Sequence, residues 1–161
     1  MMTGDEYRAS LDDGRATFFE GERIDDIPGH PVMGVAADVV AGCYDRFYSP
    51  GAEARSPLMG IPKSAQELKD RIPLLHRADM LAHTTYSSIM TLITAAGRMP
   101  DQPVYNERIM AYVEEMQRKD IRILQCITDA KGDRSLPPGK QPDPDAYTHV
   151  VERREDGVVI R

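Results

Sequence analysis

The chain contains no tryptophan and only three phenylalanines among its 161 residues, so its core must be built from aliphatic side chains, methionine and tyrosine. Two cysteines, Cys43 and Cys126, form no CxxC or CxxxC spacing, which excludes a disulfide framework. Both lie among apolar residues and are expected to be buried free thiols. No apolar run reaches the roughly 18 residues needed to cross a bilayer, and no membrane span is expected. Positive charge is also in short supply. Lys and Arg total 20 against 26 Asp and Glu, a net charge of −6, which argues against a nucleic-acid surface and against a polybasic membrane anchor. The first ten residues, MMTGDEYRAS, lack the positive region and apolar core of a signal peptide, so the cytoplasm is the expected compartment. Gly-x-Ser-x-Gly, Walker and GxGxxG motifs are missing, which leaves hydrolase and P-loop readings without support.

What is present reads as mainly helix with β-structure at the end. Thr3-Gly4-Asp5-Glu6 fits a capping box and predicts a short helix through Leu11. Residues 16–24 read as a small hairpin around Gly21. His30-Pro31 opens an amphipathic helix whose spacing puts Val32, Val35, Ala36, Val39, Val40, Cys43, Tyr44 and Phe47 on one face, with His30 in a capping or packing role. Pro50, Pro57 and Pro62 keep 50–63 a loop. A second capping box at Ser64–Glu67 starts a helix with Leu68, Ile72 and Leu75 on its apolar side, and Pro73 should kink or restart it. Residues 78–96 form an apolar helical run interrupted by His83-Thr84-Thr85-Tyr86-Ser87-Ser88. Those hydroxyls either line a cavity or bond back to their own helix. Ile109, Met110, Tyr112, Val113 and Met116 mark a further amphipathic helix. Ile121–Thr128 then reads as a strand, and Asp156-Gly157 joins 148–152 to 158–160 as a hairpin. The expected domains are a helical 1–120 and the beginning of a β-domain, 121–161. One hairpin and one strand make too little sheet to stand alone, so a continuation of the chain or a partner chain is expected to complete it.

Chemistry concentrates at Thr128-Asp129-Ala130-Lys131-Gly132-Asp133-Arg134-Ser135, where glycine permits close backbone approach and Lys131 and Arg134 can meet an anion. A solvated turn with an Asp–Arg pair is the alternative. His76 and His83 are seven apart and could share a helical face, but no Asp, Glu or Cys completes a zinc set, and no metal site is expected.

Segments in a fixed order resemble the 4-hydroxyphenylacetate 3-hydroxylase / 4-hydroxybutyryl-CoA dehydratase family. They are Thr3-Gly4-Asp5-Glu6-Tyr7 with Ser10-Leu11-Asp12-Asp13-Gly14-Arg15, then Gly21-Glu22-Arg23-Ile24 with His30-Pro31, Thr128 to Arg134, Asp143-Pro144-Asp145, and Val150 to Arg161. The resemblance implies the N-terminal portion of an acyl-CoA-dehydrogenase-like fold: a helical domain plus the start of a middle β-domain. It implies FAD, supplied reduced by a separate flavin reductase, and hydroxylation of a phenolic substrate with O2. Thr128, Asp129, Lys131, Gly132, Asp133, Arg134 and Ser135 would lie against the flavin. The monooxygenase branch places an arginine, a tyrosine and a histidine on its substrate, and the matching positions here are His83, Tyr86 and Gln125. His83 can donate a hydrogen bond or hold a proton, whereas Gln125 can donate but cannot act as an acid or base near neutral pH. The dehydratase branch needs two cysteines four apart for an iron–sulfur cluster, and Thr84 to Ser88 offers hydroxyls instead. A homo-oligomer, or a second chain completing the fold, is implied. The remaining alternatives are a dehydratase-like flavoprotein and a non-catalytic helical module docking onto a larger flavoprotein chain.

Overall fold

The computed structural model describes residues 1–127 and 132–161, which fall into two compact units, Met1–Leu124 and Gln125–Arg161.

The N-terminal unit carries α1 (Gly4–Ser10), the hairpin β1 (Thr17–Phe19) and β2 (Glu22–Ile24), then α2 (Met33–Phe47), α3 (Ala65–Leu75), α4 (Met80–Gly97) and α5 (Pro103–Lys119). Local chemistry accounts for the starts. Thr3 and Glu6 form the reciprocal capping box of α1. His30 caps α2 through Nδ1, which accepts the N–H groups of Val32 (3.2 Å) and Met33 (3.1 Å). Ser64 accepts the Glu67 N–H, but the Glu67 carboxylate takes the N–H of Lys63, so this second box is displaced by one residue. Asp79 caps α4 by accepting from the Ala82 N–H at 2.8 Å.

Cys43, Phe47, Leu58, Met59, Ala82, Ile89 and Val113 form the core, to which the 50–63 loop contributes Leu58 and Met59. Each large aliphatic side chain among them contributes about 1.5–3 kcal/mol by leaving water. The amphipathic reading of α2 holds for Val40, Cys43, Tyr44 and Phe47 but fails nearer its start, where Val32, Val35, Ala36 and Val39 are exposed. Small residues decide the orientation. Gly34 lets the helix lie against the carbonyl of Pro28, and a Cβ on Gly4 would stand 2.6 Å from the Ala41 carbonyl, so α1 and α2 meet backbone to backbone. On α3 the expected apolar side holds only for Leu75, which packs against the core; Leu68 and Ile72 are exposed while Arg71 is buried. Pro73 does not restart that helix, since so close to the end it orphans only the carbonyl of exposed Lys69, which water can satisfy. His76 closes α3 and His83 belongs to α4, so the two imidazoles do not share one helix. On α5 the buried residues are Val113 and Met116, and Met110 and Tyr112 are largely exposed.

The expected strand over Ile121–Thr128 is not formed in its described part, residues 121–127. Among the described residues no strand pairs with it, and the peptide of Ile123 is bonded by threonine side chains of α4 instead. Without a sheet to cover it, Cys126 is exposed rather than buried, like Leu124 and Ile127.

The C-terminal unit contains a short 3-10 turn at Pro138–Lys140 and the antiparallel pair β3 (Val150–Arg154) and β4 (Gly157–Ile160), extended by reciprocal bonds between His149 and Arg161. The Asp156-Gly157 hairpin forms where it was expected. Val150, Val151, Val158 and Ile160 are all exposed on it. Among the described residues, no helix is long and apolar enough to cross a membrane.

Candidate functional site

His83 and Tyr86 sit one turn apart on α4, and both are half-buried. The Tyr86 ring is held from above by Arg71, whose guanidinium carbon lies 5.0 Å from the ring centroid. Arg71 is only 8% exposed. It donates to the Leu58 carbonyl at 3.0 Å, its Nε finds no hydrogen-bond partner, and no carboxylate among the described residues pairs with it. An open groove of about 530 Å³ runs along the outer side of α4, lined by Tyr86, Met90, Thr94 and Arg98 among others. His83 does not line it.

The hydroxyls between these residues mostly bond to their own helix. Ser88 donates to the Thr84 carbonyl at 2.8 Å, and Thr85 donates to the Leu81 carbonyl at 2.6 Å. Thr84 and Thr85 also grip a second segment. Thr85 Oγ1 accepts the Ile123 N–H at 2.7 Å, and Thr84 Oγ1 donates to the Ile123 carbonyl at 3.0 Å. Two side chains thus stand in for a neighbouring strand and fix the chain two residues before Gln125.

The same segment is anchored by a buried ion pair at the end of α5. Asp120, in the left-handed conformation with φ 53°, accepts from Arg122 at 2.9 Å, with side-chain exposures of 1% and 5%. The Arg122 guanidinium lies 4.1 Å from the centroid of Tyr44, whose hydroxyl donates to the Asp120 carbonyl. Burial raises the Asp120 carboxyl above its ordinary range, against the lowering effect of Arg122. Burial likewise raises the Cys43 thiol and the Tyr7 and Tyr44 phenols.

In the C-terminal unit Gln125 is half-buried. Thr128, Asp129 and Lys131 lie outside the described residues, and the bend is described from Gly132 to Ser135. The Asp133 carboxylate accepts from the Ser135 N–H at 2.9 Å and the Ser135 hydroxyl at 2.6 Å, and these bonds pull its pKa below the usual carboxylate range. Asp133 therefore does not supply the anticipated Asp–Arg pair, and the other candidate, Asp129, lies outside the described residues. Arg134 is exposed and forms no ion pair among the described residues. The buried amide of Gln141 accepts from the Asp133 N–H at 2.9 Å and donates to the carbonyls of Asp133 (2.8 Å) and Leu136 (3.0 Å). A Cβ at Gly132 would collide with that amide, so the close approach, not a left-handed φ, requires glycine there.

The N-terminal unit thus holds His83 and Tyr86, and the C-terminal unit holds Gln125 and Gly132–Ser135. Arg71 and Gln141 escaped the sequence reading. Periodicity assigned the Arg71 helix a different inward side, and no spacing rule marks a glutamine in a proline-rich loop. No cluster of three potential metal ligands occurs among the described residues.

Residues 3–161 match the family described as 4-hydroxyphenylacetate 3-hydroxylase N terminal. The chain is 25% identical over 182 residues to the 4-hydroxybutyryl-CoA dehydratase/vinylacetyl-CoA-Delta-isomerase of Clostridium aminobutyricum, covering 100% of this chain and 37% of that protein. It is 27% identical over 177 residues to the oxygenase component of a Rhodococcus 4-nitrophenol 2-monooxygenase, covering 99% and 34%. Among solved structures it resembles the oxygenase component of 4-hydroxyphenylacetate 3-monooxygenase complexed with FAD and 4-hydroxyphenylacetate, with a TM-score of 0.76 at 23% identity, covering 100% of this chain and 37% of that one. The chain spans just over a third of the length of these relatives. By a match that extends over nearly its whole length, the chain belongs to the 4-hydroxyphenylacetate 3-hydroxylase N-terminal family.

Proposed function

We propose that this chain is the N-terminal part, or a subunit, of a flavin-dependent monooxygenase that hydroxylates a phenolic substrate. The observation that carries the reading is the Gly132–Ser135 bend. Its one carboxylate is turned onto Ser135 rather than onto Arg134, which leaves the guanidinium of Arg134 exposed and without an ion pair among the described residues. A guanidinium beside a close-packed glycine suits the anionic part of a flavin nucleotide, so Gly132, Asp133, Arg134 and Ser135 would hold FAD together with Thr128, Asp129 and Lys131. Reduced FAD, delivered by a separate flavin reductase, would supply the oxygen-activating chemistry.

Toward the substrate, His83 and Tyr86 on α4 and Gln125 would orient the phenol and share the charge on its oxygen by hydrogen bonding, with His83 able to hold a proton. The helical 1–120 and the β-beginning 121–161 would form parts of an acyl-CoA-dehydrogenase-like fold, completed by further β-structure in the same or another chain and assembled as an oligomer. The test is turnover by the intact protein with FAD, NADH, a flavin reductase and a panel of phenols under 18O2. The reading expects one labelled oxygen beside the phenolic hydroxyl; flavin binding without label in any phenol would reject it.

A second reading is favoured by the match of the whole of this chain to 37% of the dehydratase. That branch needs an iron–sulfur cluster, but Thr84 to Ser88 supply hydroxyls, those of Thr84, Thr85 and Ser88 bonded to backbone carbonyls, and the two thiols, Cys43 and Cys126, lie elsewhere. Iron and sulfide in the purified protein would move the assignment to this second reading.

A further inference from the structure

Gln141, in the C-terminal unit, makes three side-chain hydrogen bonds and is left without a role by the proposed function. It is 9% exposed and uses both ends of its amide. The oxygen takes the Asp133 N–H, and the nitrogen serves the carbonyls of Asp133 and Leu136. These bonds close a ring across eight residues. They hold both sides of the Asp133 peptide unit while Asp133 itself folds onto Ser135. Gly132 packs against the same amide with no room for a Cβ. A loop so short and polar would otherwise sample many backbone states, and fixing them costs conformational entropy.

We propose that Gln141 is a positioning residue for the cofactor. It holds Gly132–Leu136 in one shape before the flavin arrives, so that Arg134 is presented to the anionic nucleotide without an ordering step. The inference rests on the flavin reading above and adds to it a residue that itself need not touch the ligand. Preorganisation has a specific signature. If only a fraction of molecules hold the competent loop, the apparent Kd rises by the reciprocal of that fraction. The loss then shows as slower association, since the ordered loop is the state that captures flavin, while dissociation from the assembled complex changes little.

The experiment is FAD titration of the intact protein, with stopped-flow association, for wild type, Gln141→Glu, Gly132→Ala and Arg134→Ala, the melting temperature of each being recorded. Gln141→Glu keeps the shape and the acceptor but removes both donors; Gly132→Ala displaces the amide from the other side. Both are expected to raise the FAD Kd at least tenfold, mainly through a slower association rate. Kd values within twofold of wild type for both variants, with flavin still lost in Arg134→Ala, would overturn the role of Gln141 and leave the flavin reading standing. Wild type that binds no FAD would overturn both. Should Gln141→Glu fail to fold, Gly132→Ala decides by the same criterion, and a weakened Kd carried wholly by faster dissociation would also reject preorganisation.

Discussion

Thr85→Val removes one hydroxyl from a position that is fully buried, and it changes the shape of the side chain hardly at all. The Leu81 carbonyl that Thr85 now serves lies within α4 and keeps its place in the helical ladder. The Ile123 N–H has no such substitute, because its acceptor is Thr85 Oγ1 at 2.7 Å. An amide left unsatisfied in a part-buried position costs about 1–3 kcal/mol, and the added methyl recovers only part of this. We therefore expect Thr85→Val to destabilise the chain by about 2 kcal/mol in urea unfolding. For a chain of this length that corresponds to a fall in melting temperature of about 2–4 °C per kcal/mol. Thr85→Ser, which retains the oxygen, separates the hydrogen bond from the packing. Amide hydrogen exchange gives the direct readout: Ile123 should lose protection in the valine variant and keep it in the serine variant. Equal protection of Ile123 in wild type and Thr85→Val would refute the claim that threonines replace a neighbouring strand here.

Arg122→Met leaves Asp120 buried without its counter-charge and should cost about 3–5 kcal/mol by denaturant unfolding, far more than the loss of an exposed pair. Asp120 also sets a pH dependence. Its folded-state pKa is raised, so the unfolded chain gives up its proton first; the contribution is full below the unfolded value and is lost as pH rises through the folded one. The stability of wild type relative to Asp120→Asn should accordingly decline as pH increases from about 4, where unfolded aspartate titrates, and a rising difference would contradict the burial argument. His30→Ala removes the acceptor for two N–H groups at the start of α2 and should cost about 1 kcal/mol by the same unfolding measurement.

Much of the helical unit could be read from local rules, because caps and turns are settled within a few residues. Thr3–Glu6, His30 and Asp156-Gly157 each act where their side chains or backbone preferences require. The errors came from tertiary choices. Val35 and Val39 point outward because Gly34 and the Gly4–Ala41 approach allow backbone contact that a count of apolar side chains cannot register. Ile121–Thr128 has the composition of a strand, yet among its described residues the partners of the Ile123 peptide are two threonine hydroxyls that lie 38 and 39 residues earlier in the chain, too far for a local pattern to reveal. Arg71 on Tyr86 and Gln141 under Gly132 are long-range or loop contacts without periodicity. At the proposed site, sequence order supplied residue types; that Asp133 bonds Ser135 and not Arg134 required coordinates.

The central claim is that the bend ending in Arg134 and Ser135 faces a flavin nucleotide. Equilibrium binding of FAD to the intact protein, wild type against Arg134→Ala, tests it most directly. The account predicts saturable binding by wild type and at least a tenfold weaker Kd in the variant; equal affinity of the two for FAD would contradict it.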